Sequence, residues 1–127
     1  MKTIAITLAA VLIPFVANAV TPVSPAPDLV IEKTTQTSND FWSVKVKNVG
    51  TADAAATTLK MIATPGGSYS CPVGAIKAGG TADVPCKMPF KSKTGMSCEF
   101  ILNPEKKIRE SNYANNRKVS TTNPKFN

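Results

Sequence analysis

Residues 42–47 read Trp-Ser-Val-Lys-Val-Lys, and this stretch decides the fold class because its apolar and polar residues alternate strictly. Successive side chains of a β-strand point to opposite faces of a sheet, so Trp42, Val44 and Val46 would share one apolar face. A shift of one residue in register would bury the two lysines, which makes the register well specified. The stretch therefore predicts a strand with one buried face.

The same period of two recurs on both sides of this strand. The inward positions that it predicts are Leu29, Ile31, Leu59, Met61, Ala63, Val84, Cys86, Met88, Cys98, Phe100 and Leu102, and a last strand is expected around Val119 and Thr121. Seven short strands, with turn signals about every ten residues, are typical of an antiparallel sandwich. We therefore predict an all-β fold, a seven-stranded antiparallel immunoglobulin-like β-sandwich.

The first 19 residues have the features of an export signal. Lys2 precedes an apolar run over 4–16, and residues 17–19 read Ala-Asn-Ala, which fits small-x-small cleavage. The alternative is a transmembrane anchor, but the run is shorter than the ~20 residues that span a bilayer core. We expect cleavage after residue 19, export to the periplasm or the extracellular space, and no membrane span.

Cleavage would leave 127 − 19 = 108 residues, a length that suits one domain. Residues 20–27 read V-T-P-V-S-P-A-P and are interpreted as a Pro-rich, semi-rigid spacer. The alternative for that segment is a first edge strand, because proline is tolerated at sheet edges. The sandwich is assigned to residues 28–123 and a short tail to residues 124–127.

The composition excludes several catalytic classes. The chain has no histidine, so Ser-His and Cys-His pairs and His-ligated metal sites cannot form. Its eight acidic residues are spread singly along the sequence. We therefore predict a non-enzyme without catalytic residues, metal ligands or a cofactor.

Beyond the predicted signal, whose only charge is Lys2, the net positive charge is confined to the last third of the chain. Residues 20–85 carry five basic and five acidic groups, whereas residues 86–127 carry nine basic and three acidic ones. Such an excess can attract polyanions. Six of these nine basic residues form two groups, near the connections that follow the fifth and the sixth strand: Lys87, Lys91 and Lys93, and Lys106, Lys107 and Arg109. Those connections lie at opposite ends of a sandwich, so no continuous basic stripe and no nucleic-acid binding is expected.

Three cysteines allow one disulfide in an oxidising compartment. Cys71 and Cys86 lie equally far from the Ala78-Gly79 tip of an expected hairpin, which would also set Pro72 opposite Pro85. Since proline cannot donate to a ladder, a Cys71–Cys86 staple would hold that hairpin together. The rival pairing is Cys86–Cys98, across the sandwich. In the favoured pairing, Cys98 is a small buried hydrophobe.

The segment Leu102–Asn116 reads L-N-P-E-K-K-I-R-E-S-N-Y-A-N-N and precedes the last strand. Asparagine side chains bond to nearby backbone groups and tolerate left-handed conformations, and a carboxylate can accept from backbone N–H groups. We interpret the segment as a self-bonded structural loop; the alternative is a polar surface loop without special order. The predicted loop motif consists of Asn103, Glu110, Asn112, Asn115 and Asn116.

This segment resembles the last-hairpin signature of the CARDB family, the bacterial cell-adhesion-related domain. Three further pieces resemble that family in the same order: Pro-Asp-Leu-Val at 27–30, the strand and turn at 44–52, and Ile-Lys-Ala-Gly-Gly at 76–80. The departures are Asn103 where aspartate is usual and Tyr113 where glutamate is usual. The resemblance covers about residues 27–123 and implies an immunoglobulin-like, adhesion-related module.

The resulting functional hypothesis is a secreted or periplasmic, non-catalytic binding or structural module. Its expected partner is a protein or a cell-surface glycan. The alternative is a small periplasmic inhibitor or chaperone that docks one protein partner through a loop or an edge strand. The sequence singles out neither the ligand-binding residues nor the oligomeric state.

Overall fold

A computed structural model of the chain describes residues 24–88, 90–92, 95–123 and 125. The predicted signal at residues 1–19 lies outside the described residues, as do the first half of the spacer and most of the tail. The described part contains seven strands: β1 (Leu29–Ser38), β2 (Phe41–Asn48), β3 (Thr57–Thr64), β4 (Gly67–Val73), β5 (Thr81–Lys87), β6 (Ser97–Leu102) and β7 (Arg117–Thr121). Within it there is no helix of the length and hydropathy that a membrane crossing requires.

The strands form two antiparallel sheets that pack face to face. One sheet has the order β1-β2-β5 and the other the order β4-β3-β6-β7. The chain crosses from one sheet to the other between β2 and β3, between β4 and β5, and between β5 and β6, as in immunoglobulin-like sandwiches. The predicted all-β, seven-stranded antiparallel sandwich is confirmed.

The core lies between the sheets and is built from the period-two positions. The inward residues that are at most 3% exposed include Leu29, Trp42, Val44, Val46, Leu59, Met61, Val84, Cys86, Cys98, Phe100 and Leu102. Full burial of one large apolar side chain stabilises the fold by about 1.5–3 kcal/mol. The two sheets meet at Trp42 and Phe100, whose ring centroids are 5.3 Å apart at an angle of 64°. This edge-on geometry is one that aromatic pairs prefer.

The β4–β5 segment is not the hairpin that the sequence predicts. Pro72 pairs with Thr58 of β3, and Pro85 pairs with Ser43 of β2, so the two prolines do not face each other. The intervening turn bonds elsewhere: Gly79 N donates to Asn48 O at 2.8 Å. The chain therefore crosses from one sheet to the other here, because the turn's hydrogen bonds are satisfied by β2.

The structure contains the Cys71–Cys86 disulfide, with a Cα–Cα distance of 5.6 Å. β4 and β5 are edge strands of different sheets. The bridge therefore connects the two sheets along one side of the sandwich. Cys98 is an unpaired thiol, fully buried on β6. The pairing is the one that the sequence analysis favours. The bond, however, links the two sheets of the sandwich and does not link the strands of a hairpin.

Candidate functional site

The connection between β6 and β7, residues 103–116, is held to the domain by a buried carboxylate. Glu110 is 6% exposed. Its Oε1 accepts a hydrogen bond from Leu29 N at 2.7 Å, and its Oε2 accepts from Asn103 Nδ2 at 2.8 Å and from Asn116 Nδ2 at 2.6 Å. Charge-assisted bonds of this kind are stronger than neutral ones. Glu110 thereby joins both ends of the connection to the first strand.

Asn103 sets the path of the connection as it leaves β6. Its φ is +48°, in the left-handed region that asparagine tolerates better than most residues. Its amide brackets Ile108: Nδ2 donates to Ile108 O at 2.7 Å, and Oδ1 accepts from Ile108 N at 3.2 Å. Its backbone N donates to Thr58 O at 2.9 Å, which ties the turn to β3.

The remaining asparagines of the predicted loop motif have different surroundings. Asn116 is 3% exposed, and its Nδ2 also donates to Leu102 O at 3.3 Å. Asn115 Nδ2 donates to Asp28 Oδ1 at 2.9 Å, just before β1. Asn112 is exposed, and its Oδ1 accepts from Ala114 N at 2.9 Å in a local turn. The structure therefore joins Asn103, Glu110 and Asn116 in one network and leaves Asn112 outside it.

Tyr113 is fixed by its hydroxyl group inside the same connection. The hydroxyl oxygen accepts from Glu110 N at 3.2 Å, and the hydroxyl donates to Ile108 O at 3.3 Å. The ammonium of Lys106 lies 5.0 Å from the centroid of the Tyr113 ring, within the range of a cation–π interaction. The ring is thus held in place while it remains half-exposed.

Beside Tyr113 lies an open cavity of about 510 Å³, between the connection and the outer face of the four-stranded sheet. Its lining includes Lys60, Ile101, Pro104, Lys106, Tyr113 and Arg117. Three of the lining residues are cations, and none is a carboxylate. We call it the β6–β7 cavity; its volume lies within the range of small-ligand pockets.

The register of three strands brings two of these cations together. Lys60 of β3 pairs with Ile101 of β6, and Ile101 pairs with Arg117 of β7. Directly paired residues share one face of a sheet, so Lys60 and Arg117 flank Ile101 on the outer face, with about 10 Å between their backbones. Arg117 also forms an ion pair with Glu99, one row further along that face.

Sequence reasoning missed this cavity and one buried polar residue. Lys60 and Arg117 are far apart in sequence, and only the sheet register shows that they are neighbours. Asn48 is completely buried; its Oδ1 accepts from Asp28 N and Gly50 N, and its Nδ2 donates to Ala52 O and Ile76 O. The Asn-Val-Gly sequence after a strand was the available signal, because asparagine commonly bonds its own turn.

Two titratable groups of the core have altered pKa values. Burial raises the pKa of the Cys98 thiol above its ordinary value of 9.0. Burial, and to a lesser extent the neighbouring Cys98, raises the pKa of the Tyr69 hydroxyl. Both groups therefore stay neutral near pH 7, and neither is an activated nucleophile.

In the part of the chain that the structure describes, no three His, Cys, Asp or Glu side chains are grouped as they would be to hold a metal ion. Both oxygens of Glu110 already accept N–H groups. The β6–β7 cavity instead offers cationic and aromatic groups. Such groups suit the non-covalent binding of an anion.

Two solved structures are similar to this fold. One is the solution structure of residues 272–376 of a protein from Methanosarcina acetivorans that is designated as a cell surface protein; it shares 16% identity, with a TM-score of 0.67, over 76% of this chain and 90% of that one. The other is a crystal structure of the CARDB domain of a Pyrococcus furiosus protein in complex with di-metal ions; it shares 20% identity, with a TM-score of 0.60, over 76% of this chain and 87% of that one. At these identities the likeness establishes the fold.

No curated protein matches the sequence significantly. The family model of CARDB matches residues 26–120, which is three quarters of the chain. This range includes all of β1–β6, the β6–β7 connection and most of β7. The chain therefore belongs to the CARDB family.

Proposed function

We propose that this protein is an exported, non-catalytic recognition domain that acts at the cell surface or in the periplasm and binds through the β6–β7 cavity. The observation that carries the proposal is the construction of that cavity. Its wall is a connection that the side chains of Glu110, Asn103 and Asn116 bond to β1 and to the end of β6, so the cavity is formed before a ligand arrives. Preorganisation of this kind lowers the entropic cost of binding.

Two further observations support the proposal. The Cys71–Cys86 bridge suits an oxidising compartment outside the cytosol. The similar domain from Methanosarcina acetivorans belongs to a protein designated as a cell surface protein. An adhesion-related role on the same surface agrees with both.

The second candidate is the docking of one protein partner along β7, as an inhibitor or chaperone would do. This strand pairs only with β6 in the described sheet, and Val119 on it is 62% exposed. An unpaired edge can accept a strand from a partner. Charged residues at such edges oppose this pairing, and Arg117 and Lys118 are charged, which favours the cavity as the binding surface.

Sedimentation with envelope fractions tests the proposal. Purified protein is incubated with fractions from its own host, untreated, protease-treated or periodate-oxidised. Retention that survives protease and is lost after glycan oxidation is the expected result. Retention that protease abolishes, together with one stoichiometric cross-linked protein, would favour the inhibitor or chaperone role. A protein that stays in the supernatant in every case contradicts both candidates.

A further inference from the structure

We infer that the ligand of the β6–β7 cavity is an acidic saccharide whose carboxylate lies among Lys60, Lys106 and Arg117 while its ring packs on Tyr113. This inference rests on the proposed recognition role and names the ligand class for the same cavity. It follows from the charge, the aromatic wall and the size of the cavity.

The charge of the cavity selects for an anion. The three cations in the lining face no carboxylate within it. Lys60 is half-buried on the outer face of β3, and Lys106 lines the cavity from the connection. Arg117 contributes less, because its guanidinium already pairs with Glu99. The anion would thus be held chiefly by two ammonium groups on different elements.

The aromatic wall selects for a ligand with a flat apolar side. Both hydrogen bonds of the Tyr113 hydroxyl are made within the connection, so the group that Tyr113 offers to the cavity is its ring, beside the Lys106 ammonium. Pro104 and Ile101 add apolar surface nearby. A pyranose ring carries C–H groups that pack on an aromatic surface, and a uronic acid carries its carboxylate on that same ring.

The size of the cavity limits the ligand further. A volume of about 510 Å³ lies in the range of small-ligand pockets. One tyrosine is too few to stack successive bases of a nucleic acid strand. A short segment of an acidic polysaccharide fits both limits, because a few sugar units occupy the cavity while their neighbours extend into solvent.

Isothermal titration of the purified protein with trigalacturonate tests the inference, and its methyl ester serves as the uncharged control ligand. We expect binding of the acid that weakens with added salt, and much weaker binding of the ester. Lys60→Gln combined with Lys106→Gln should lower the affinity at least about fivefold. Tyr113→Leu should lower the affinity more than Tyr113→Phe, which loses the same two hydroxyl bonds but keeps the ring.

Two matched variants separate this site from general charge attraction. Lys118→Gln removes one positive charge from β7, outside the cavity lining, and should change the affinity less than about twofold. Glu99→Gln releases Arg117 from its ion pair and should raise the affinity. Circular dichroism melting of each variant shows that it is folded.

Four results would overturn the inference: no binding of trigalacturonate, equal binding of acid and ester, an equal loss in Lys118→Gln, or tighter binding of a glutamate peptide of equal charge, which would indicate an acidic protein partner. The envelope experiment distinguishes a wrong ligand class from a wrong recognition role. If envelope retention persists without trigalacturonate binding, the ligand class is wrong and the recognition role stands. If trigalacturonate binds but the envelope does not retain the protein, the site stands and the recognition role at the envelope is wrong.

Discussion

Cys71 and Cys86 are covalently bonded although their strands belong to different sheets. The bridge closes a separation of 15 residues, and it fastens the edge of the sandwich where the chain crosses from β4 to β5. Both sulfur-bearing residues are buried, at 5% and 0% exposure. The bridge therefore restrains how the sheets pack.

Removal of this bridge should destabilise the fold strongly. We expect Cys71→Ala with Cys86→Ala to lower the free energy of unfolding by about 3 kcal/mol, the chain-entropy value for a loop of this length. Urea denaturation measures the change, and Cys98→Ala is the control that keeps the bridge. Recovery of a peptide that links Cys86 to Cys98, in non-reducing peptide mapping, would contradict the assignment.

Gly50 is a second position where the structure makes a sharp prediction. A Cβ atom at this residue would lie 2.4 Å from Ala26 O and 2.5 Å from Asp28 N, which are backbone atoms that cannot rotate away. We expect Gly50→Ala to lower the free energy of unfolding by about 1–3 kcal/mol. Thermal melting checks the change.

Gly74→Ala is the matched control for that substitution, because among the described residues only Gly74 itself and its two chain neighbours can have atoms within 4 Å of the Cβ position there. It should change the free energy of unfolding by less than about 0.5 kcal/mol. Equal effects of the two substitutions would show that the close approach of residues 26–28 to Gly50 is misplaced.

Alkaline pH should weaken the fold through the buried Cys98 thiol. Burial raises the pKa of this thiol in the folded state above 9.0, so the folded state retains a proton that the unfolded state loses. The thiol's stabilising contribution is complete below the unfolded pKa and decreases as pH rises through the folded value.

Urea denaturation from about pH 8 to about pH 10 measures this decrease, with Cys98→Ala as the control. The substitution leaves a small cavity and lowers stability at every pH, but the loss of stability with rising pH should become less steep. Tyr69 adds a decrease of its own above its ordinary pKa of 10.0, which the variant keeps. An unchanged slope in Cys98→Ala would show that the thiol is not protected by burial.

The sequence predicts the sandwich well because its dominant signal is local. Trp42, Val44 and Val46 alternate with polar residues, and a buried sheet face enforces that period. The Cys71–Cys86 pairing was predicted for a reason that proved wrong: equal distances from a Gly-rich turn suggest a hairpin, but Asn48 bonds to that turn from another strand. The group that hydrogen-bonds to a turn's backbone is decided by tertiary packing, which the local sequence does not show.

The β6–β7 cavity could not be predicted for a similar reason. Its cations come from β3, the connection and β7, and the register across three strands decides which of them meet. In contrast, the predicted loop motif depends on short-range bonds, such as those between Asn103 and Ile108, which asparagine and proline signal locally. The hydrogen bond between Glu110 of this motif and Leu29, 81 residues away, cannot be predicted from a local pattern.

The claim on which the proposed site depends is that the β6–β7 connection is a fixed part of the folded domain, anchored by Glu110. Glu110→Gln should lower the free energy of unfolding by about 1–3 kcal/mol. The new amide NH₂ group would face an N–H group that now donates to the Glu110 carboxylate, and neither group could accept a hydrogen bond from the other. Glu105→Gln, at an exposed carboxylate that pairs only with Lys107 in the described part, should cost less than about 0.5 kcal/mol.

Native-state hydrogen exchange of the Leu29 amide tests this claim most directly, because that N–H group donates to Glu110 Oε1. In the unmodified protein we predict that it exchanges as slowly as the amides of β2, through global unfolding. In Glu110→Ala it should exchange much faster than the β2 amides. A Leu29 amide that exchanges rapidly in the unmodified protein, or equally slowly in both proteins, would contradict the account.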